Sequence, residues 1–298
     1  MSEHRILLIE NPAHLSINLS RLCIERTGQE VVYVALNDIA VLVLHHHGIS
    51  LTHAVLNQLA QNGAVVLSTD QKHMPSAMQI PLNANVQLVA RLEAQIKLRE
   101  TELPDELWSQ LVSARLNSQA FLLQQQQCTD VKLLIRLAKN VSPGDSENKE
   151  SQGARHFWKH WLGKPHKRQK QNAEDHINAC LNYGYAILRS CIARAVVTAG
   201  LNPALGIHHY STENGYNLID DFIEPYRYLV ELCVMNHLID NELNAKTKLL
   251  LAGIVTEKVT ISDKKYRFTT AVQETIDSFV RVLKQEKRKL VLPTFKLE

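Results

Sequence analysis

Short runs of Ile, Val and Leu fill the first eighty residues, several alternating with polar neighbours, and this two-residue period predicts strands. The runs are residues 4–10, 14–20, 21–26, 30–35 and 39–44, separated by Asn11-Pro12, Thr27-Gly28 and Asn37-Asp38. Their order reads as a meander-like β domain. One helix interrupts it, with Leu51, Val55, Leu56 and Leu59 at three- and four-residue steps after Ser50 as N-cap and Asn62-Gly63 as the stop. Residues 64–68 return as a buried strand.

Between residues 72 and 82 the periodicity disappears and Pro75 and Pro81 enter, which sets a domain boundary. Helical spacing dominates beyond it. Residues 85–100 carry Val86, Leu88, Val89, Leu92, Ile96 and Leu98, and Pro104-Asp105 opens a helix that runs towards the solvated glutamines 124–127. A short helix spans 131–138, ended by the Ser142-Pro143-Gly144 turn, and a long one spans about 173–199 before Gly200 and Pro203. Residues 258–269 alternate around Asp263-Lys264-Lys265 as a hairpin, followed by a last helix over about 271–290. The fold class is therefore α+β. A small β-rich N-terminal domain (1–82) precedes a larger helical domain (83–298) that carries a small inserted hairpin.

Composition narrows the function classes only a little. With 33 Lys plus Arg against 30 Asp plus Glu, the net charge of +3 does not by itself imply a nucleic-acid partner. The five cysteines are scattered without a C-x-x-C pair, which predicts buried thiols in a reducing compartment, no disulfide and no zinc site. No apolar run reaches the ~18 residues of a membrane span. A cytoplasmic protein is expected.

Three stretches offer chemistry. Glu150 opens a helix whose apolar stripe is Ala154, Phe157, Trp158 and Trp161, so its carboxylate falls on the buried face and needs a compensating cation; alternatively it serves the helix dipole and faces water. His208 and His209 follow Gly206 in the loop after Leu201-Asn202-Pro203, a position open to ligand or ordinary loop roles. Asp221 and Glu224, three apart, share the mouth of a helix starting near Ile219, with Pro225 tolerated in its first turn; capping, with Arg227 as a surface ion partner, is the competing account. Histidine with carboxylates matches the preferences of Mg²⁺ or Mn²⁺. Residues 151–172 contain Arg155, Lys159, Lys164, Lys167, Arg168 and Lys170 with no Asp or Glu, a cue for phosphates, and 165–170 reads as a mobile basic loop. The second basic cluster, Lys284 and Lys287-Arg288-Lys289, reads as a solvated helix end, and His45-His46-His47 as structural or exposed.

Taken together, Asn148-Lys149-Glu150 with Gly153-Ala154 and Phe157-Trp158, Leu201-Asn202-Pro203 with Leu205 to His209, and Tyr216 to Leu218 through Asp221, Glu224, Pro225, Tyr226 and Arg227 resemble the CRISPR-associated integrase, the endonuclease of the spacer-acquisition complex. The resemblance covers essentially the whole chain and is most similar to members from type II systems. Ser151-Gln152-Gly153 departs from the family, which more often has small residues throughout that stretch. The resemblance implies that Glu150, His209 and Glu224 bind a divalent metal, Mg²⁺ or Mn²⁺, and are catalytic, with Asp221 and Arg227 supporting. It implies insertion of short foreign DNA duplexes into a repeat array by 3′-hydroxyl attack on phosphodiesters. It further implies a homodimer formed through the β domains, a small adaptation partner that is itself a dimer, and double-stranded DNA as substrate. Two other readings stay open: a branched-DNA repair nuclease and a non-catalytic DNA scaffold.

Overall fold

The computed structural model describes residues 5–71, 75–82, 85–128, 130–163, 168–169, 173, 175–237 and 243–297. Strands come first: β1 (Arg5–Ile9), β2 (His14–Asn18), β3 (Arg21–Glu25), β4 (Val32–Ala35), β5 (Ile39–Leu44) and the two-residue β6 (Ser50–Leu51). Helix α1 (His53–Gln61) follows, then β7 (Val65–Thr69) and β8 (Pro75–Gln79). Among the described residues these strands form two four-stranded sheets, ordered β1-β5-β7-β8 and β4-β3-β2-β6.

The meander expected from the sequence holds only for β2-β3-β4, which pair antiparallel through register pairs such as Leu15 with Ile24 and Cys23 with Tyr33. The other sheet is built differently. β1, β5 and β7 run parallel, and β8 closes the edge antiparallel to β7. The unbroken apolar run of β5, Ile-Ala-Val-Leu-Val-Leu, marks a strand covered on both faces, as parallel sheets require. Its alternate side chains serve two cores. Leu42 joins Ile9, Leu15, Leu22, Val55 and Val66 between the sheets and α1, whereas Val41 and Val43, with Val65 and Leu67, point into the helical region. β8 lies inside the stretch read as a structureless boundary. Its Pro75 takes the first strand position at a sheet edge, where the missing N–H costs little.

The helical region comprises α2 (Leu88–Leu98), α3 (Leu103–Gln125), α4 (Lys132–Lys139), α5 (Lys149–Leu162), α6 (His176–Thr198), α7 (Asn217–Ile223), α8 (Tyr228–His237) and α9 (Ala245–Gly253). The hairpin β9 (Lys258–Ile261) and β10 (Lys264–Arg267) leads into α10 (Phe268–Leu283). The last helix thus starts earlier and stops earlier than its periodicity suggests. Helices α3 and α6 are its central members, and α6 also packs on β5 and β7, so one hydrophobic core runs from the sheet into the helices without a break. α5 lies close against α3: a Cβ on Gly153 would stand 2.1 Å from Leu116 Cδ2. Among the described residues no helix is long and apolar enough to cross a membrane, and all five cysteines are free.

Candidate active site

The His209 loop is organised by one carboxylate. Asp221, in α7 and fully buried, accepts backbone N–H groups from Ile207 (2.5 Å), His208 (3.2 Å) and His209 (3.2 Å), and the His209 ring Nδ1 at 2.7 Å. A carboxylate only accepts, so Nδ1 carries a proton and, in the neutral ring, the lone pair is on Nε2. The same contact raises the His209 pKa from its ordinary value. Gly206 is required by this packing, because a Cβ there would lie 2.3 Å from the His209 carbonyl oxygen and 2.8 Å from Asp221 Oδ2. The loop is tied from behind as well: buried Gln95 of α2 bonds the backbone of Asn202 and Leu205, and Asn217 bonds the carbonyls of Ala204 and Ser211. His208 stacks flat on Trp108 of α3, ring centroids 4.2 Å apart, and Trp108 also presents an edge contact to His209 at 5.6 Å.

Glu150 enters from α5. Asp145 caps that helix, accepting from the backbone of Lys149 (2.8 Å) and of Glu150 (3.0 Å). Burial pushes the Glu150 carboxyl up to about 7, the negative charge of Glu224 adds to the shift, and Arg227, Arg115 and His209 oppose it. Glu150, Glu224 and His209 therefore share one electrostatic environment.

Glu224 sits at the junction of α7 with the 3₁₀ turn Glu224–Tyr226, not at a helix mouth shared with Asp221. Asp221 lies a turn earlier, inside α7, and the capping account fails for both. Buried Glu224 receives Arg227 Nη1 on Oε1 at 2.8 Å, while Arg115 Nε lies 3.6 Å from Oε2, an ion pair too long for a hydrogen bond. Its Oε2 has no hydrogen-bond partner. Arg115 is otherwise held by a fork on fully buried Glu231, at 2.7 and 2.5 Å, which also accepts from Tyr185. Arg227 lies over the Tyr185 ring, 4.6 Å from its centroid, so it is an interior partner of Glu224, not a surface one.

An orphaned buried carboxylate oxygen, a second carboxyl forced up by burial and by its neighbour, and a histidine nitrogen with a free lone pair fit a hard divalent cation. They share surroundings without forming a closed ligand sphere. Among the described residues, the group whose ligand atoms all lie within 4.8 Å of one another is Asp130, between α3 and α4, with His156 and His160 further along α5.

The expected DNA-binding residues divide. Arg155 and Lys159 project from α5 into solvent. Arg168 does not: its guanidinium bonds Asn178 and Asn182 of α6 and lies 5.4 Å from the Tyr185 ring, which corrects its reading as part of an open basic loop. Lys164, Lys167 and Lys170 lie outside the described residues. Sequence reasoning missed Trp108, Arg115, Asp145 and Glu231. Arg115 left a signal, a lone charge among Leu111, Val112, Ala114 and Leu116 of α3, and Asp145 another, an acid between a Pro-Gly turn and a helix start.

The fold defines a class before the sequence defines a family. The structure is similar to that of a casposase bound to integration product, with a TM-score of 0.80 at 18% identity, covering 96% of this chain and 92% of that one. It is also similar to a chain of a Cas6-RT-Cas1–Cas2 complex, with a TM-score of 0.78 at 17% identity, covering 99% of this chain and 37% of that one. At such identities the likeness shows a shared fold.

The family follows from sequence. The family model described as CRISPR associated protein Cas1 matches residues 6–249. The CRISPR-associated endonuclease Cas1 of Neisseria meningitidis serogroup C is 32% identical over 296 residues, 97% of this chain and 95% of that protein. The chain belongs to the Cas1 family.

Proposed function

We propose that this protein is a divalent-metal-dependent DNA endonuclease and integrase that joins the 3′-hydroxyl ends of a short duplex to phosphodiesters of a CRISPR repeat. The observation that carries the reading is that Glu150 feels the charges of both Glu224 and His209, with His209 Nδ1 held by Asp221 and Glu224 Oε2 left without a hydrogen bond. In this reading Glu150, His209 and Glu224 hold Mg²⁺ or Mn²⁺. When bound, the ion polarises a phosphoryl oxygen and stabilises the charge that develops during in-line displacement. Asp221 orients the His209 ring and fixes its tautomer. Arg115 and Arg227 hold the Glu224 carboxylate in place, and burial of the site strengthens each of these interactions. Arg155 and Lys159 neutralise backbone phosphates along α5.

The likeness to a chain of the Cas6-RT-Cas1–Cas2 complex supports a Cas2-type partner, and the likeness to the casposase bound to integration product supports integration into DNA; that the partner is a small dimer and the DNA a duplex is what the sequence resemblance implies. For the homodimer the β4 edge is the candidate: Val31, Val32 and Tyr33 are all exposed there. Work on chromosomal DNA fits the cytoplasmic location expected from the sequence.

The test is joining of a labelled duplex with free 3′-hydroxyls into a supercoiled repeat-bearing plasmid, in Mn²⁺ with the small partner, for wild type and His209→Ala. Label entering the plasmid with wild type only supports the reading. Nicking without joining points to a branched-DNA repair nuclease, and absence of any reaction to a scaffold.

A further inference from the structure

A second group of ligating side chains lies on α5, away from the candidate active site. His156 and His160 are one helical turn apart on one face, and Asp130, in the connection between α3 and α4, reaches over both. His156 and His160 stand six and ten positions after Glu150, about 9 and 15 Å along the helix axis at 1.5 Å per residue. The two groups are therefore separate.

The hydrogen bonds around these histidines fix where their protons are. The His160 Nδ1–H donates to the carbonyl of His156 at 2.8 Å, and because a carbonyl oxygen only accepts, Nδ1 must carry the proton. The neutral ring then has its lone pair on Nε2, which stands 3.3 Å from Asp130 Oδ2. Two acceptors facing each other at that distance need a positive species between them. His156 adds a second imidazole, its ring 4.0 Å from that of His160, with Nε2 3.9 Å from Asp130 Oδ2 and bonded at 2.8 Å to the Asp130 carbonyl. Asp130 is exposed, so the fourth direction opens to water.

We propose that Asp130, His156 and His160 form a site for a transition-metal dication, zinc in particular, that clasps the α3–α4 connection to α5. Two imidazoles at i and i+4 of a helix with one carboxylate and an open water position are a zinc donor set. It is softer and richer in nitrogen than the Glu150, His209, Glu224 group, which suits Mg²⁺ or Mn²⁺. The His160 Nδ1–H bond to a backbone carbonyl is the outer contact that commonly orients a ligating imidazole. On metal binding the His156 ring shifts its proton from Nε2 to Nδ1, and the Nε2–H bond to the Asp130 carbonyl gives way to a coordinate bond from the freed Nε2 lone pair. The proton is the competing occupant, in which case the three residues form only an ion-paired hydrogen-bond cluster. The proposal stands independently of the nuclease reading.

The experiment is titration of the chelator-stripped full chain with Zn²⁺ by calorimetry, and with Co²⁺ by its visible ligand-field spectrum. Wild type is compared with His209→Ala/Glu224→Gln, in which the other group is disabled, and with that variant carrying Asp130→Asn or His160→Gln in addition. Circular dichroism confirms folding. One equivalent of Zn²⁺, with a Co²⁺ spectrum of low-coordinate form, is expected to persist in the first variant and to weaken by about 10–100-fold or more when Asp130 or His160 is also changed. Loss of all binding in His209→Ala/Glu224→Gln, or an affinity unchanged by Asp130→Asn and His160→Gln, would overturn the proposal and leave the proton as occupant.

Discussion

Two histidine–carboxylate arrangements, His209 with Asp221 and His160 with Asp130, show how differently the same pair of groups can be built. Asp221 is fully buried and accepts three backbone N–H groups besides the ring, so the carboxylate is fixed before the imidazole meets it. Asp130 is exposed, and the pairing depends on side chains that water can reach. The first arrangement presents a nitrogen at a set place and in a set tautomer. The second leaves a gap that a cation from solvent can enter or leave. What distinguishes them is whether the backbone supports the acid.

The sharpest break of this comparison is at the imidazole. His209→Ala should lower strand joining by more than about 100-fold, beyond the range for loss of an outer partner, whereas His160→Gln should leave joining within about threefold. A gel assay of label entering the plasmid reads both. Equal losses would mean that the two histidines belong to one function.

The acids come next. Asp221→Asn places an amide group against backbone N–H donors and should cost about 2–4 kcal/mol in urea unfolding, with joining lowered about 10–100-fold. Asp130→Asn in the metal-free chain should cost no more than about 0.5 kcal/mol, as surface changes generally do. Equal costs would remove the distinction between a backbone-supported acid and an exposed one.

A smaller effect tests the Glu150 carboxyl. Its pKa is raised to about 7 from an ordinary 4.5, so between these values the folded chain holds a proton that the unfolded chain has lost. Stability contributed by that proton is present below about 4.5 and is lost as pH rises through about 7. Relative to Glu150→Gln, the metal-free wild type should lose on the order of 1–3 kcal/mol across this window, measured by urea unfolding at stepped pH. A constant difference would show that the carboxyl is not under strain, and Mn²⁺ at high pH should restore wild-type stability.

Much of this is legible in the sequence, and the failures share a cause. Strand positions are readable because alternation survives in a half-buried ladder, yet alternation carries no information about ladder direction, so the parallel order of β1, β5 and β7 is hidden from it and a meander is the simplest reading. β8 escapes because an exposed edge strand with Pro75 has no apolar signature. At the site, acids and histidines placed where a helix or loop has no ordinary need of them mark the three stretches that meet. The lone charge of Arg115 is visible in its apolar stretch, but its partner is not, since the fork it makes is on Glu231 more than a hundred positions away. Nor does spacing reveal that Asp221 faces inwards to a loop while Glu224 faces the arginines. Local patterns report local geometry, and these contacts are long-range.

The same limit governs the basic residues, which supply the last and smallest effect. From sequence, Arg155, Lys159 and Arg168 are equivalent members of one acid-free stretch. In the fold the first two are exposed on α5, whereas Arg168 is anchored to Asn178 and Asn182 beside Tyr185. Only a cation free to displace counterions from a phosphate contributes to salt dependence. Each such contact adds about 0.9 to the slope of log K against log salt for duplex DNA. Replacing Arg155 and Lys159 together by alanine should therefore reduce the slope by about 2, with affinity reduced most at low salt. Arg168→Ala should leave the slope unchanged while lowering stability, since it removes hydrogen bonds within the protein and none to DNA. Fluorescence anisotropy of a labelled duplex across a salt series separates these outcomes. A reduced slope for Arg168→Ala would mean that its guanidinium leaves α6 to meet the duplex, and an unchanged slope for the double variant would take the exposed face of α5 out of the DNA path.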